Sequence, residues 1–154
     1  MQENTSRTTK IAAALYRLAV AAWWGGAALF TFVLTPTLFR SLNRDQAGAI
    51  VGYLFPGYFR WGLACGLIAL AALALAKVKR QRLASSLLVA MLVITAGQAF
   101  LIEPRAAALK REIPSFETSA PDHPLRAKFR QLHGLSAAGN LAVIGGGVVL
   151  VLLL

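Results

Sequence analysis

The chain has 154 residues, of which 57% are hydrophobic and 14% charged, with 16 lysines and arginines against 6 acids and a net charge of +10. So apolar a composition excludes an ordinary water-soluble domain, and the length allows one compact unit. In a soluble protein the positive excess would point to nucleic acid, but here the basic residues gather at the ends of apolar runs, which excludes nucleic acid in favour of anionic lipid headgroups as partners.

Four runs, 18–35, 61–76, 83–102 and 132–154, carry no charged residue. A bilayer offers no water to the backbone, so only helices and closed barrels cross it, and strand-like alternation is absent from these runs. The sequence therefore predicts an all-α fold, an integral membrane four-helix bundle with up-down topology. It is read as a single transmembrane domain over 1–154, with helices at about 11–36, 57–77, 82–103 and 126–154 and an outer loop at 104–125. The first run is too long for the apolar core of a signal peptide, so helix one is read as retained.

In helix one, Trp23 and Trp24 precede Gly25 and Gly26, and Ala22 with Gly26 makes a small-xxx-small pair of the kind that lets helices approach in lipid. Pro36 and Arg40 are expected to end this helix. Residues 48–55 are apolar but too short to span and precede the Pro56-Gly57 breaker. They read as a short interfacial or re-entrant half-helix before helix two, or as its kinked early part. Tyr53, Tyr58 and Trp61 fit an interfacial aromatic belt.

Gly62 and Gly66 repeat the small-residue device in helix two. Cys65 is the single cysteine, so no intrachain disulfide is possible. Lys77, Lys79, Arg80 and Arg82 crowd a short connection without any acid, which favours placing that loop and both termini in the cytoplasm. Beyond helix three, Pro114, Pro121 and Pro124 disfavour regular helix, although 106–112 can continue as one outside the membrane. In helix four, Ala138, Ala142 and Gly146 are expected to form a tight-packing face.

Up-down threading brings the end of helix one, the start of helix two, the end of helix three and the start of helix four to one membrane face. Arg40, Arg60, Gln98, Glu103, Arg105 and His133 are expected there, with Ser136 and Asn140 reaching about 10 Å deeper at roughly 1.5 Å per residue. His133, Ser136 and Asn140 share one helical stripe, and the whole reads as a polar funnel. Each member also has a structural reading. Asn140 can be interhelical glue, His133 can hydrogen-bond Glu103 or a carbonyl at the interface, and Glu103 can be ion-paired with Arg105, Arg40 or His133. His123, between Asp122 and Pro124, reads as a solvated loop residue.

The segments WWGGAALFTFVLTPTLFRSL at 23–42, YLFPGYF at 53–59, EPR at 103–105 and FRQLHGLSAAGN at 129–140 resemble the family of small membrane proteins that includes transmembrane protein 205. The resemblance implies a four-helix membrane domain and carries over no catalytic residue. A looser likeness to copper-resistance and haem-pathway membrane proteins rests on the Trp23-x-Gly25-Gly26 segment, but the several intramembrane histidines that haem or copper work needs are missing. No cofactor and no metal are expected.

No nucleophile with a supporting histidine and acid, no metal-type cysteine pair and no phosphate-cradling glycine loop is recognisable, so the expected role is non-enzymatic. The sequence points to a multi-pass protein of a plasma or inner membrane whose polar pocket binds or passes a small polar solute, ion or lipid headgroup. The alternative is an accessory subunit docking onto other membrane proteins or onto copies of itself.

Overall fold

The computed structural model describes residues 2–76, 78, 80–120 and 122–153; Lys77 and Lys79 of the basic connection lie outside the described residues. The described residues form four long helices and no strand. Helix α1 is α-helical over Gln2–Leu29, π-helical over Phe30–Leu34 and α-helical again over Thr35–Ser41. Helix α2 covers Arg44–Leu75. Helix α3 repeats the pattern of α1, as Gln81–Gly97, a π-helical Gln98–Ile102, and Glu103–Glu112. Helix α4 is Pro124–Leu152. All four are long and apolar enough to cross a membrane.

The prolines do not stop the helices where the sequence predicts. Pro36 and Pro104 each follow a five-residue π segment and one further residue, in the same register. The Thr35 N–H donates to the Phe30 carbonyl and the Glu103 N–H to the Gln98 carbonyl, both five residues back. The wider turn takes up the missing proline N–H and the bulk of its ring, so α1 runs on to Ser41 and α3 to Glu112. The expected outer loop from 104 therefore begins only at 113.

Helix two likewise starts at Arg44 rather than about 57, with 48–55 as its first part and Pro56 inside it. The residue four before Pro56, whose carbonyl the ring crowds, is Gly52. Asn43 fixes this start, its Oδ1 accepting from the Gln46 N–H at 2.8 Å. At the N-terminus the helix begins at Gln2, earlier than about 11, with no glycine or proline before Gly25 to interrupt it.

Each helix packs on two others, α1 and α3 both lying against α2 and α4, which closes an up-down square. The largest fully buried side chains, Tyr16, Val20, Leu73, Leu88 and Leu150, all belong to the half of the bundle where α1 and α3 begin. That half is solid.

Its interfaces are built by tryptophans lying on glycines. A Cβ on Gly66 would stand 2.5 Å from Trp23 Cζ3 and 2.6 Å from Leu92 Cδ2, and one on Gly62 would stand 2.8 Å from Trp23 Nε1. Trp61 covers Gly26 and donates its Nε1–H to the Ala22 carbonyl at 3.3 Å, while Trp24 covers Gly147. The small-residue pairs of α1 and α2 thus receive indole rings. In α4 the packing face runs through Gly139, Val143, Gly147 and Leu150, whereas Ala138 and Ala142 are exposed, a correction to the expected stripe. Gly146 packs on Met91, and Gly145 has open space around it.

These distances predict that Gly66→Ala lowers stability by about 1–3 kcal/mol, because the Trp23 ring, 3% exposed, stands 2.5 Å from the new methyl and has no room to withdraw. Gly25→Ala, with nothing within 4 Å of the new methyl, is expected to be neutral or to stabilise by up to about 1 kcal/mol. Thermal unfolding of both variants in mild detergent checks the pair; equal effects would show that the glycines are not packing slots.

Candidate functional site

In the other half of the bundle the packing opens into a cavity of about 780 Å³. All four helices and the 113–123 loop line it, and all four contribute the ends that the threading brings together. Thr35 and Phe39 come from α1, Phe55 and Phe59 from α2, Lys110 from α3 and Phe129 from α4. The walls grade from Phe59, 3% exposed, to Phe39, 45% exposed at the mouth.

Two hydrogen-bonded links lie one helical turn beneath this space. Asn140 accepts from the Tyr58 hydroxyl and donates its Nδ2–H to Thr31 Oγ1 at 2.7 Å, joining α4 to α2 and α1. Gln98, only 2% exposed, donates its Nε2–H to the Ser136 carbonyl at 2.7 Å and to Ser136 Oγ at 3.2 Å, joining α3 to α4. Ser136 lines the cavity, and Asn140 lies about 6 Å deeper at roughly 1.5 Å per residue. Gln98 and Asn140 therefore sit beneath the cavity, as ties between helices. Tyr58, expected in an interfacial belt, points into the bundle and stacks on Phe30 at 4.6 Å between ring centroids.

Of the residues expected in a polar funnel, Glu103, His133 and Ser136 line the cavity. Arg40 and Arg60 are exposed and do not. Arg105 lies on a separate shallow depression with Lys128 and Gln131. Glu103 makes no ion pair among the described residues, and the His133 ring instead stacks on Phe129, with centroids 6.0 Å apart and planes 8° apart. Phe129 lies one turn from His133 on the same helix, so the imidazole's neighbour is an aromatic ring and not a carboxylate.

The wall itself is mostly aromatic and aliphatic, with basic residues at the rim, so the space is amphiphilic rather than a polar funnel. Sequence reasoning missed Lys110, Arg126, Arg44 and the phenylalanines. The signal was helical spacing: Arg126, Phe129, His133 and Ser136 extend one stripe toward the start of α4, and Glu103, Ala106, Ala107 and Lys110 form another on α3.

The outer loop is fastened over the mouth by the start of α2. Asp45 accepts from Ser115 Oγ and from the Phe116 N–H, each at 2.6 Å, and Glu117 Oε1 accepts from the Arg44 N–H at 2.7 Å. A loop carboxylate and Asn43 thus satisfy two of the free N–H groups of α2. Phe116 meets Phe129 edge-on at 5.0 Å, and Arg126 lies over the Phe116 ring at 5.7 Å while donating to the Ser119 carbonyl. His123 caps α4, its Nδ1 accepting from the Leu125 N–H at 3.3 Å. Among the described residues no three His, Cys, Asp or Glu side chains are grouped so as to hold a metal ion.

If Asn140 ties three helices, Asn140→Ala and Thr31→Val should each destabilise the protein, and their double-mutant cycle should give a coupling of about 0.6–2 kcal/mol. A coupling of zero in detergent unfolding would mean that the contact holds nothing together.

A family model described as a domain of unknown function (DUF4149) matches residues 18–115, which takes in most of α1 and all of α2 and α3. A protein of Aquifex aeolicus (strain VF5), described as an uncharacterized protein, is 34% identical over 120 residues, covering 78% of this chain and 79% of that one. No solved structure matches the chain. The family match over more than half the chain, and a relative that keeps its length, place this protein in the DUF4149 family.

Proposed function

We propose that the protein is a non-enzymatic membrane binding module that admits an amphiphilic molecule from the surrounding bilayer into the cavity at one membrane face. The carrying observation is the cavity, which joins an aromatic throat to a basic rim where the ends of all four helices meet. Its volume of about 780 Å³ falls within the roughly 300–1,000 Å³ of small-molecule sites. Of the ligands considered from the sequence, a small polar solute or bare ion finds few partners on such walls. A lipid-like molecule matches both parts of them.

The segments that resemble the transmembrane protein 205 family favour the same picture of a four-helix membrane module and add no chemistry. Both termini are placed in the cytoplasm of a cell bounded by its plasma or inner membrane, because the 77–82 connection is short, basic and free of acids.

An amphiphile that binds the folded state raises the melting temperature of the purified protein, by an amount equivalent to about 2.7 kcal/mol at a hundred times its dissociation constant. Filling the cavity with Ala107→Trp should abolish that gain and leave the unliganded protein folded. If no amphiphile stabilises it and it instead purifies with larger membrane proteins, the reading as an accessory subunit prevails. For the threading, a reporter fused to the C-terminus should be active on the cytoplasmic side; activity only on the other side would overturn the orientation.

A further inference from the structure

Of the cations lining the cavity, Lys110 is the one seated against glycines of a neighbouring helix. Lys110 lies half-buried on the glycine side of α2, where a Cβ on Gly48 would be 3.4 Å and one on Gly52 3.3 Å from its Nζ. The ammonium donates to the Gly48 carbonyl. A methyl at either glycine would touch the ammonium, so the bare backbone there is what lets it approach α2 so closely.

Among the described residues no carboxylate touches the ammonium, and its hydrogen bond is to a neutral carbonyl. Asp45 attracts it from a distance, but both carboxylate oxygens of Asp45 are taken by the loop, and no acid lies within 4 Å of Lys110 among the described residues. Glu103, the acid on the cavity wall, is two helical turns away along α3, about 10 Å at roughly 1.5 Å per residue. Arg44, Arg111 and Arg126 also line the space, so its surroundings add positive charge. A half-buried ammonium whose nearest counter-charge stands off and is already engaged is only partly compensated, and an anion that enters the cavity improves that compensation.

Next to the ammonium the wall turns apolar. Phe55 and Phe59 stack at 5.5 Å, and Phe129 faces the same space. Resting on the reading of the cavity as a ligand site, we infer that its occupant is an anion-headed amphiphile whose carboxylate or phosphate meets Lys110 and whose chain lies along Phe55, Phe59 and Phe129.

The test uses the full chain purified in a neutral maltoside detergent, with melting temperature followed during titration. The probes are oleate and lyso-phosphatidylglycerol as anionic amphiphiles, lyso-phosphatidylcholine as a zwitterionic one, and inorganic phosphate as a headgroup without a chain. The anionic amphiphiles are expected to stabilise, with lyso-phosphatidylcholine at least about tenfold weaker and phosphate without effect. Lys110→Met should weaken the anionic probes by about tenfold or more, Lys110→Arg should keep them, and Arg82→Gln at the opposite end should change nothing.

Equal stabilisation by anionic and zwitterionic probes overturns the charge assignment and leaves the amphiphile site standing. Stabilisation by phosphate alone, at concentrations matching the lipids, overturns the need for a chain. Silence from every probe overturns the site itself. Should Lys110→Met fail to fold, the headgroup series and Lys110→Arg decide the matter by themselves.

Discussion

Lipid tails are as apolar as leucine, so burying leucine between helices gains little in a bilayer, and what holds helices together there is fit. In this protein the fit is an indole ring laid where a side chain is missing. Trp23 occupies the surface left bare by Gly62 and Gly66, Trp61 that of Gly26, and Trp24 that of Gly147. These contacts connect α1 to α2 and to α4, and with the Tyr16 to Leu150 core they make one half of the bundle dense. The Trp24 indole N–H is buried without an acceptor among the described residues, so its contribution is shape rather than hydrogen bonding.

The cavity follows from where that packing ends. Beyond the level of Thr31, Asn140 and Tyr58 no indole lies on a glycine, and polar ties join the helices there. A buried amide in hydrocarbon has to find partners inside the protein. Asn140 and Gln98 find theirs on neighbouring helices, which leaves the phenylalanines and the rim residues as the main lining of the cavity. The 113–123 loop, held by Asp45, adds Phe116 to that rim, where Arg126 of α4 lies over its ring.

The paired π segments belong to the same arrangement. Each lies at the level where dense packing gives way to the cavity, and each lets its helix pass a proline and continue as cavity wall, through Phe39 on α1 and Lys110 on α3. The continuation of α3 past Pro104 is what brings Lys110 opposite Gly48.

Hydrophobic runs and basic ends were enough to determine the class, the four spans, their up-down order and which helix ends meet at the cavity, because the cost of exposing backbone and charge to hydrocarbon leaves few alternatives. The stripe of His133, Ser136 and Asn140 was legible for the same reason of helical periodicity. The helix limits at Pro36, Pro56 and Pro104 were decided only in three dimensions, since a proline breaks a helix or not according to the turn before it and the neighbours around it. Tertiary structure alone also decided that Asn140 and Gln98 are ties, that Arg40, Arg60 and Arg105 stand outside the cavity, and that Lys110 is inside. Those outcomes depend on how each helix is turned toward its neighbours, which the tryptophan and glycine contacts set between residues far apart in the chain.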